Sequence, residues 1–356
     1  MLVKRKITYF LSILIVSILL SGCGLFNGSK EDIDPPKDVS YEEDLDLDVS
    51  GSQGDIEADG ESADGETATI QTELYLIDSD GFVVPRTFSL PNTESVAKQA
   101  LEYLVTGGPI TDQLPNEFRA VLPADTAVDL DITDGVATVN FSNEFAQYAP
   151  EDELKIVQSV TWTLTQFDSV DRVKLQMNGN DLSEMPVNGT PLNGDLTRKI
   201  GINLDTTNVV DITNTRPVTV YYLSQTDEES YYVPVTKRIQ NSEDNTVAAI
   251  VEELVKGPDL SSPLFTMLMP DVELLNEPEI SDGVVTLNFN ENILGSYEQK
   301  LVSKQVMDSL VLSLTEQEGI KGVAIQVNGE ADIVNQDGEP VTEPVTRPKN
   351  VNTGSF

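Results

Sequence analysis

"DGVATVNF", Asp134 to Phe141, returns far down the chain as "DGVVTLNF", Asp282 to Phe289, altered only at its fourth and sixth positions. Asp-Gly between alternating apolar and polar residues marks a two-residue hairpin turn, because glycine accepts positive φ without penalty and aspartate bonds its own backbone. With the turn at Asp134 and Gly135, Ile132 opposes Ala137, Leu130 opposes Val139 and Val128 opposes Phe141. These six fall on one face and Asp129, Asp131, Thr138 and Asn140 on the other, the pattern of a sheet wet on one side. In the second hairpin Val285, Leu287 and Phe289 point inward, but the same register sets Pro278 against Leu287 and Asn276 against Phe289. A bulge or an edge strand is expected there.

The similarity extends outward from the hairpins. "LTQFDSVDRVKLQMNG", from Leu164, aligns without gaps with "LTEQEGIKGVAIQVNG", from Leu314, at an offset of 150. "EYLVTG" from Glu102 meets "EELVKG" from Glu252, and "LYLID" from Leu74 meets "VYYLS" from Val220. "PLNGDLTR", Pro191 to Arg198, corresponds to "PVTEPVTR", Pro340 to Arg347. So long a period means tandem domains rather than a solenoid. Asn92 and Thr93 are placed to cap a helix with Ala97, Ala100, Leu101, Leu104 and Val105 on one stripe, stopped at Gly107-Gly108-Pro109. Val247, Ile250, Val251, Leu254 and Val255 repeat that stripe. A later helix opens at Pro150-Glu151-Asp152-Glu153, and its counterpart is expected from about Glu298 to Thr315. Each copy reads strand, strand, helix, hairpin, helix, strand. The fold class is α+β: two tandem copies of a small antiparallel sheet with helices packed on one face.

Sixty acidic against 22 basic residues leave a net charge of -38, which disfavours nucleic acid as a partner. The chain has no histidine, so histidine-dependent hydrolases are excluded and the commonest transition-metal ligand is missing. No catalytic constellation, metal site or cofactor site is expected.

At the N-terminus, Lys4, Arg5 and Lys6 precede a largely apolar run of 14 residues, Ile7 to Leu20, the proportions of a signal peptide rather than a membrane span. Leu20-Ser21-Gly22-Cys23 resembles a bacterial lipobox, and Cys23 is the single cysteine. The resemblance implies cleavage before Cys23 and acylation of its thiol, which would hold the mature chain on a membrane. Lys30 to Thr67 carries 15 acidic residues and one aromatic, Tyr41, too little apolar surface to offset ordering. It reads as an acidic, disordered tether. Within it Asp44, Asp46 and Asp48 imitate the start of a calcium loop, but Val49 stands where the turn needs glycine and Asp55 in the twelfth position, so a solvated charge run is the better reading. The expected organisation is a signal peptide over 1–22, lipidated N-terminus and tether over 23–71, a first domain over 72–204, a linker over 205–216 and a second domain over 217–352.

The lipobox, the acidic tether and two units each with an "LV.G" helix end, a "DGV.T.NF" hairpin and a "Q.NG" strand together resemble the tandem GerMN family of sporulation and germination lipoproteins. That resemblance implies modules similar to ring-building motifs and a non-catalytic scaffold role in endospore formation. It also implies a lipid (palmitate) anchor in the outer forespore membrane, facing the intermembrane space. The implied partners are proteins of the channel linking mother cell and forespore, with peptidoglycan as a further partner and a ring or homo-oligomer as the assembly, and a need for the protein in later germination.

Residues shared by the copies are mostly turns, caps and core apolars. Glu102 and Glu252 recur as solvated charges on a helix flank. Asn178-Gly179 and Asn328-Gly329 read as turns before anion sites, and Arg198 and Arg347 as internal ion-pair partners before contacts to another protein. Tyr221, Tyr222, Tyr231 and Tyr232 crowd the first strands of the second copy. One of each adjacent pair is expected to face away from the core, where an exposed ring would suit a sugar or a partner's pocket, although β propensity alone accounts for them. The rival from the enzyme class is a glycoside hydrolase of spore cortex, which needs only two carboxyl groups about 5 to 10 Å apart.

Overall fold

Asp134 and Gly135 both adopt positive φ, 51° and 75°, as do Asp282 and Gly283, 54° and 83°. They close the two hairpins as the Asp-Gly chemistry requires. The computed structural model describes residues 69–207, 213–226, 229–241 and 245–353, within one compact unit, Asp64–Phe356. In the first copy β4 (Val128–Thr133) pairs with β5 (Val136–Phe141) in the expected register, Val128 against Phe141 and Leu130 against Val139. Val128, Ala137, Val139 and Phe141 are buried; Ile132, near the turn, is more than one-third exposed.

The second hairpin departs where proline forces it to. β10 (Glu279–Ser281) keeps the register with β11 (Val284–Phe289) for only three residues. Beyond Pro278, Leu274 rather than Asn276 opposes Phe289. A shift of two residues keeps an apolar side chain over Phe289 and leaves the proline out of the ladder.

Each hairpin is extended by a parallel strand, so the α+β sheets are mixed. β5 runs parallel to β6 (Arg172–Met177) and β11 parallel to β12 (Gly322–Val327). The cause is the intervening helix: α2 (Glu153–Leu164) and, in the second copy, α4 (Lys304–Leu314) carry the chain back across the sheet. Short strands β7 (Asn180–Asp181) and β13 (Val345–Thr346) complete the two four-stranded sheets.

A long hairpin begins each copy: β1 (Thr69–Asp78) with β2 (Val83–Pro91), and β8 (Thr215–Gln225) with β9 (Ser230–Gln240). β3 (Phe118–Arg119) adds to β1. Phe265 makes the corresponding bridge to Leu223.

Two helix starts differ from the sequence expectation. α1 (Val96–Tyr103) begins after Ser95, without a side-chain cap, and Asn92 and Thr93 lie in the loop that follows β2. The stripe Ala97, Ala100, Leu101, Leu104 and Val105 is nevertheless buried. The helix stops before Gly107 because Leu104 and Val105 turn to meet Val121 and Leu122. α4 starts at Lys304, not near Glu298, because the preceding turn hydrogen-bonds Leu301 to Ser296 and Ser303 caps the Val306 N–H. In α3 (Thr246–Lys256) Asn245 accepts from Val247 and Ala248, and Gly257, φ 76°, ends the helix.

The two copies share one apolar core, with β2 lying against β9. Their contact is reciprocal. Asn203, just after the first copy's last aligned segment, bonds both the N–H and the carbonyl of Val83 and reaches Pro234 of the second copy. Asn352, 149 residues later, bonds the N–H and carbonyl of Tyr232 and reaches Pro85 of the first copy. Ile202 pairs with Thr236, and Val351 with Thr87. Each copy thus lays its C-terminal strap on the other's second strand, which makes the pair pseudo-two-fold symmetric.

Candidate functional site

Copied residues hold the frame. Asn140 Oδ1 accepts the Gly179 N–H at 2.7 Å, and Asn288 Oδ1 accepts that of Gly329 at 2.8 Å. The Asn of each "NF" therefore pins the Asn-Gly turn that leaves the parallel strand, and those N–H groups are not presented to an anion. Glu102 and Glu252 are exposed on their helices, as read from sequence.

Arg198 of the first copy and Arg347 of the second meet on a shared acid. Glu316 follows α4 in the second copy; its Oε2 accepts Arg198 Nη1 at 2.8 Å, and its Oε1 accepts Arg347 Nη1 at 2.9 Å and the Tyr221 hydroxyl at 2.8 Å. Burial alone would raise the Glu316 carboxyl, but the two guanidinium groups outweigh it and hold it below the usual carboxylate range. Arg198 also lies 4.5 Å over Trp162 and Arg347 5.5 Å over Tyr221. Internal ion pairing is the role of both arginines, and it joins the copies.

The tyrosines are not exposed. Both faces of the β8–β9 hairpin are covered, so Tyr221, Tyr222 and Tyr231 are buried and Tyr232 half-buried. Their hydroxyls bond Glu316, the Glu253 carbonyl, Asp78 and Asp308 respectively. The expected outward ring of each pair is absent because the first copy supplies a second apolar layer. Among the described residues Tyr297, 72% exposed, is the aromatic that faces water, and sequence alternation did not single it out.

Among the described residues, Asp78, Glu153, Asp308 and Glu316 have buried carboxylate side chains. Glu153, at the start of α2, accepts the Tyr148 hydroxyl and the N–H groups of Val187, Asn188 and Thr190. Burial opposes its ionisation, but these donors prevail and bring its pKa to about 2. Asp308 holds Tyr232 and the ammonium of Lys304. Asp78 borders an open cleft of about 380 Å³ that Asp152 also lines. Burial raises Asp78, partly countered by the Phe82 N–H. Asp152 is lowered, since Arg119 and Lys155 overcome the effect of its own burial. Acids pushed apart in this way are what a glycosidase uses. Here, however, Asp78 Oδ1 accepts the Phe82 N–H at 2.7 Å and Oδ2 accepts the Tyr231 hydroxyl at 3.0 Å. Both oxygens are turned to protein donors.

No acid cluster suited to a metal ion occurs among the described residues, and no described helix is long and apolar enough to cross a membrane. Leu20, Ser21, Gly22 and Cys23, and the tether with Asp44, Asp46, Asp48 and Asp55, lie outside the described residues. Sequence reasoning missed Glu316, Asn203 and Asn352. The two asparagines could have been found from their common offset of 149, which continues that of Arg198 and Arg347.

A pair of α+β modules, closed on each other through exchanged straps and a shared core, is the class these features define. The chain belongs to the Germane family, described as sporulation and spore germination, whose model matches residues 73–183 and 219–332. It is 54% identical over 354 residues to the spore germination protein GerM of Bacillus subtilis strain 168, covering 96% of each chain. The solved tandem GerMN domains of the sporulation protein GerM from Bacillus subtilis superpose with a TM-score of 0.77 at 57% identity, over 81% of this chain and all of that one. The first GerMN domain of the same protein is 65% identical, with a TM-score of 0.36 over 37% of this chain and 99% of that one. The chain is thus a sporulation and germination protein with tandem GerMN domains.

Proposed function

We propose that the chain is an exported lipoprotein, anchored through Cys23 to the outer forespore membrane, that serves as a non-catalytic scaffold for the channel between mother cell and forespore. One observation carries the non-catalytic part: Asp78, Glu153 and Glu316 each commit both carboxylate oxygens, and Asp308 its Oδ2, to hydrogen bonds or ion pairs that hold the fold. The copied residues likewise serve turns and core. Anchorage at Cys23, well ahead of the first module in the sequence, would leave the paired modules free to act away from the membrane. The need for the protein in germination follows from that role in building the spore.

The test compares localisation with turnover. Glu102→Lys and Glu252→Lys, both on exposed helix faces, should displace channel proteins in sporulating cells without lowering the melting temperature if those faces dock. Purified chain should release no muropeptides from spore cortex. Release that disappears with Asp78→Asn in a still folded protein would replace the scaffold with a glycosidase.

A further inference from the structure

The copies differ at one place where their chain paths correspond. In the first, Met185 is 1% exposed within the shared core. The turn that follows it is strapped to the start of α2 by the three backbone N–H bonds to Glu153. Leu192 and Leu196, on the segment returning from that turn, are sealed at 8% and 6% exposure.

In the second copy the matching bridges are Val334 with Pro340 for Glu184 with Pro191. The residue after each first partner is Asn335 where the first copy has Met185. Ser303 stands where the first copy has Glu153, and its side chain caps α4 instead of gripping the turn. Asn335 folds its side chain back on its own turn, accepting from Asp337 and Glu339. A groove of about 440 Å³ remains between α4 and this turn. Val302 and Met307 line it and are almost fully buried, whereas Val341 and Val345, the counterparts of Leu192 and Leu196, are only half-buried.

We propose that this groove receives a long, unbranched apolar side chain, of methionine type, from a basic segment of another protein. The first copy supplies the precedent for the apolar part, since the residue matching Asn335 there is a methionine buried in the core. Methionine also suits a site whose shape is irregular. Charge supplies the rest. Lys304 is neutralised by Asp308, while Asp337 and Glu343 on the rim are exposed and have no cation within ion-pair distance among the described residues. A second copy of a chain with net charge -38 would bring like charge to that rim. The groove names a partner chemistry for the scaffold reading and extends it. Lost peptide binding with intact channel localisation sinks the groove alone, and the reverse result sinks the channel assignment alone.

The probe is a fluorescein-labelled peptide with one methionine between paired lysines, titrated by anisotropy into the full chain in detergent solution. A serine peptide of equal charge should bind at least about tenfold more weakly, an effect of the size expected for burying one such side chain. Asn335→Met, which puts the first copy's side chain into the groove lining, should weaken the methionine peptide to the serine level. Because that change also removes the Asn335 turn bonds, the exposed pair Asp337→Lys with Glu343→Lys provides an independent reading and should weaken binding about tenfold at low salt. Equal affinity for the methionine and serine peptides overturns the proposal. So does binding that survives both the filled groove and the reversed rim, or concentration-dependent dimerisation that Asn335→Met abolishes, which would assign the groove to a second copy.

Discussion

Replacing Glu316 by glutamine removes the one full anion bonded to both Arg198 and Arg347 and leaves only Glu73, 3.9 Å from Arg347, to compensate. The Glu316 side chain is 6% exposed and the arginines 30% and 26%. Breaking a buried pair on one side costs about 3–5 kcal/mol, and the partial exposure of the arginines places this case at about 3 kcal/mol. A unit the size of Asp64–Phe356 unfolds with an entropy of about 0.6 kcal/mol/K at ~2.1 cal/mol/K per residue, so the melting temperature should fall by roughly 5 °C. Calorimetry at pH 7 measures it. The pH dependence supplies a second check. The folded Glu316 carboxyl lies below its unfolded value, so its stabilisation is fully present above about pH 4.5 and disappears as pH falls through the folded value. The gap between parent and Glu316→Gln should therefore narrow in acid. A variant melting within 1 °C of the parent at pH 7, or a gap that persists undiminished at pH 3, refutes the assignment of Glu316 as the anion that joins the copies.

Cys23→Ala should abolish acyl labelling and move the chain from the membrane to the soluble fraction; labelling that persists ends the lipobox reading. Asn288→Ala unpins the Gly329 turn by removing the bond to its N–H and should cost about 1 kcal/mol in urea unfolding, with an unchanged m-value. Glu153→Gln leaves the turn at Val187–Thr190 without its anionic acceptor. It should destabilise the protein at neutral pH and also flatten the acid limb between about pH 4.5 and pH 2, where the parent loses stability as Glu153 takes up its proton. An acid limb unaltered in the variant would show that Glu153 is not the group responsible.

What could be read in advance was local. The Asp-Gly hairpins, their register over Val128 to Phe141 and the buried helix stripes follow from turn chemistry and side-chain period. The proline at 278 announced the irregular edge of the second sheet. Strand direction was not legible, because an alternating segment looks the same whether its neighbour runs parallel or antiparallel; the helix between β5 and β6 decides it. Contacts across long separations were also hidden. Arg198 announced an ion pair, but its acid lies 118 residues away in the other copy. The tyrosines misled because alternation assumes one wet face, and the β8–β9 hairpin has none to spare. The groove at Asn335 became visible only when the copies were compared in three dimensions, since a Met-to-Asn difference in a loop has no distinctive sequence signal.

The exchanged straps at Ile202–Asn203 and Val351–Asn352 bear on how such chains can be assembled into anything larger. A contact in which each half offers the other the same surface is complete at two and cannot be extended, whereas a ring grows only through head-to-tail contacts between unlike surfaces. Duplication within one chain has therefore consumed the β2 and β9 faces as a private handshake. Any circular assembly must recruit the chain as a two-module brick through surfaces elsewhere, and each step around the circle would alternate two modules that are alike in fold but unlike at the groove beside Asn335.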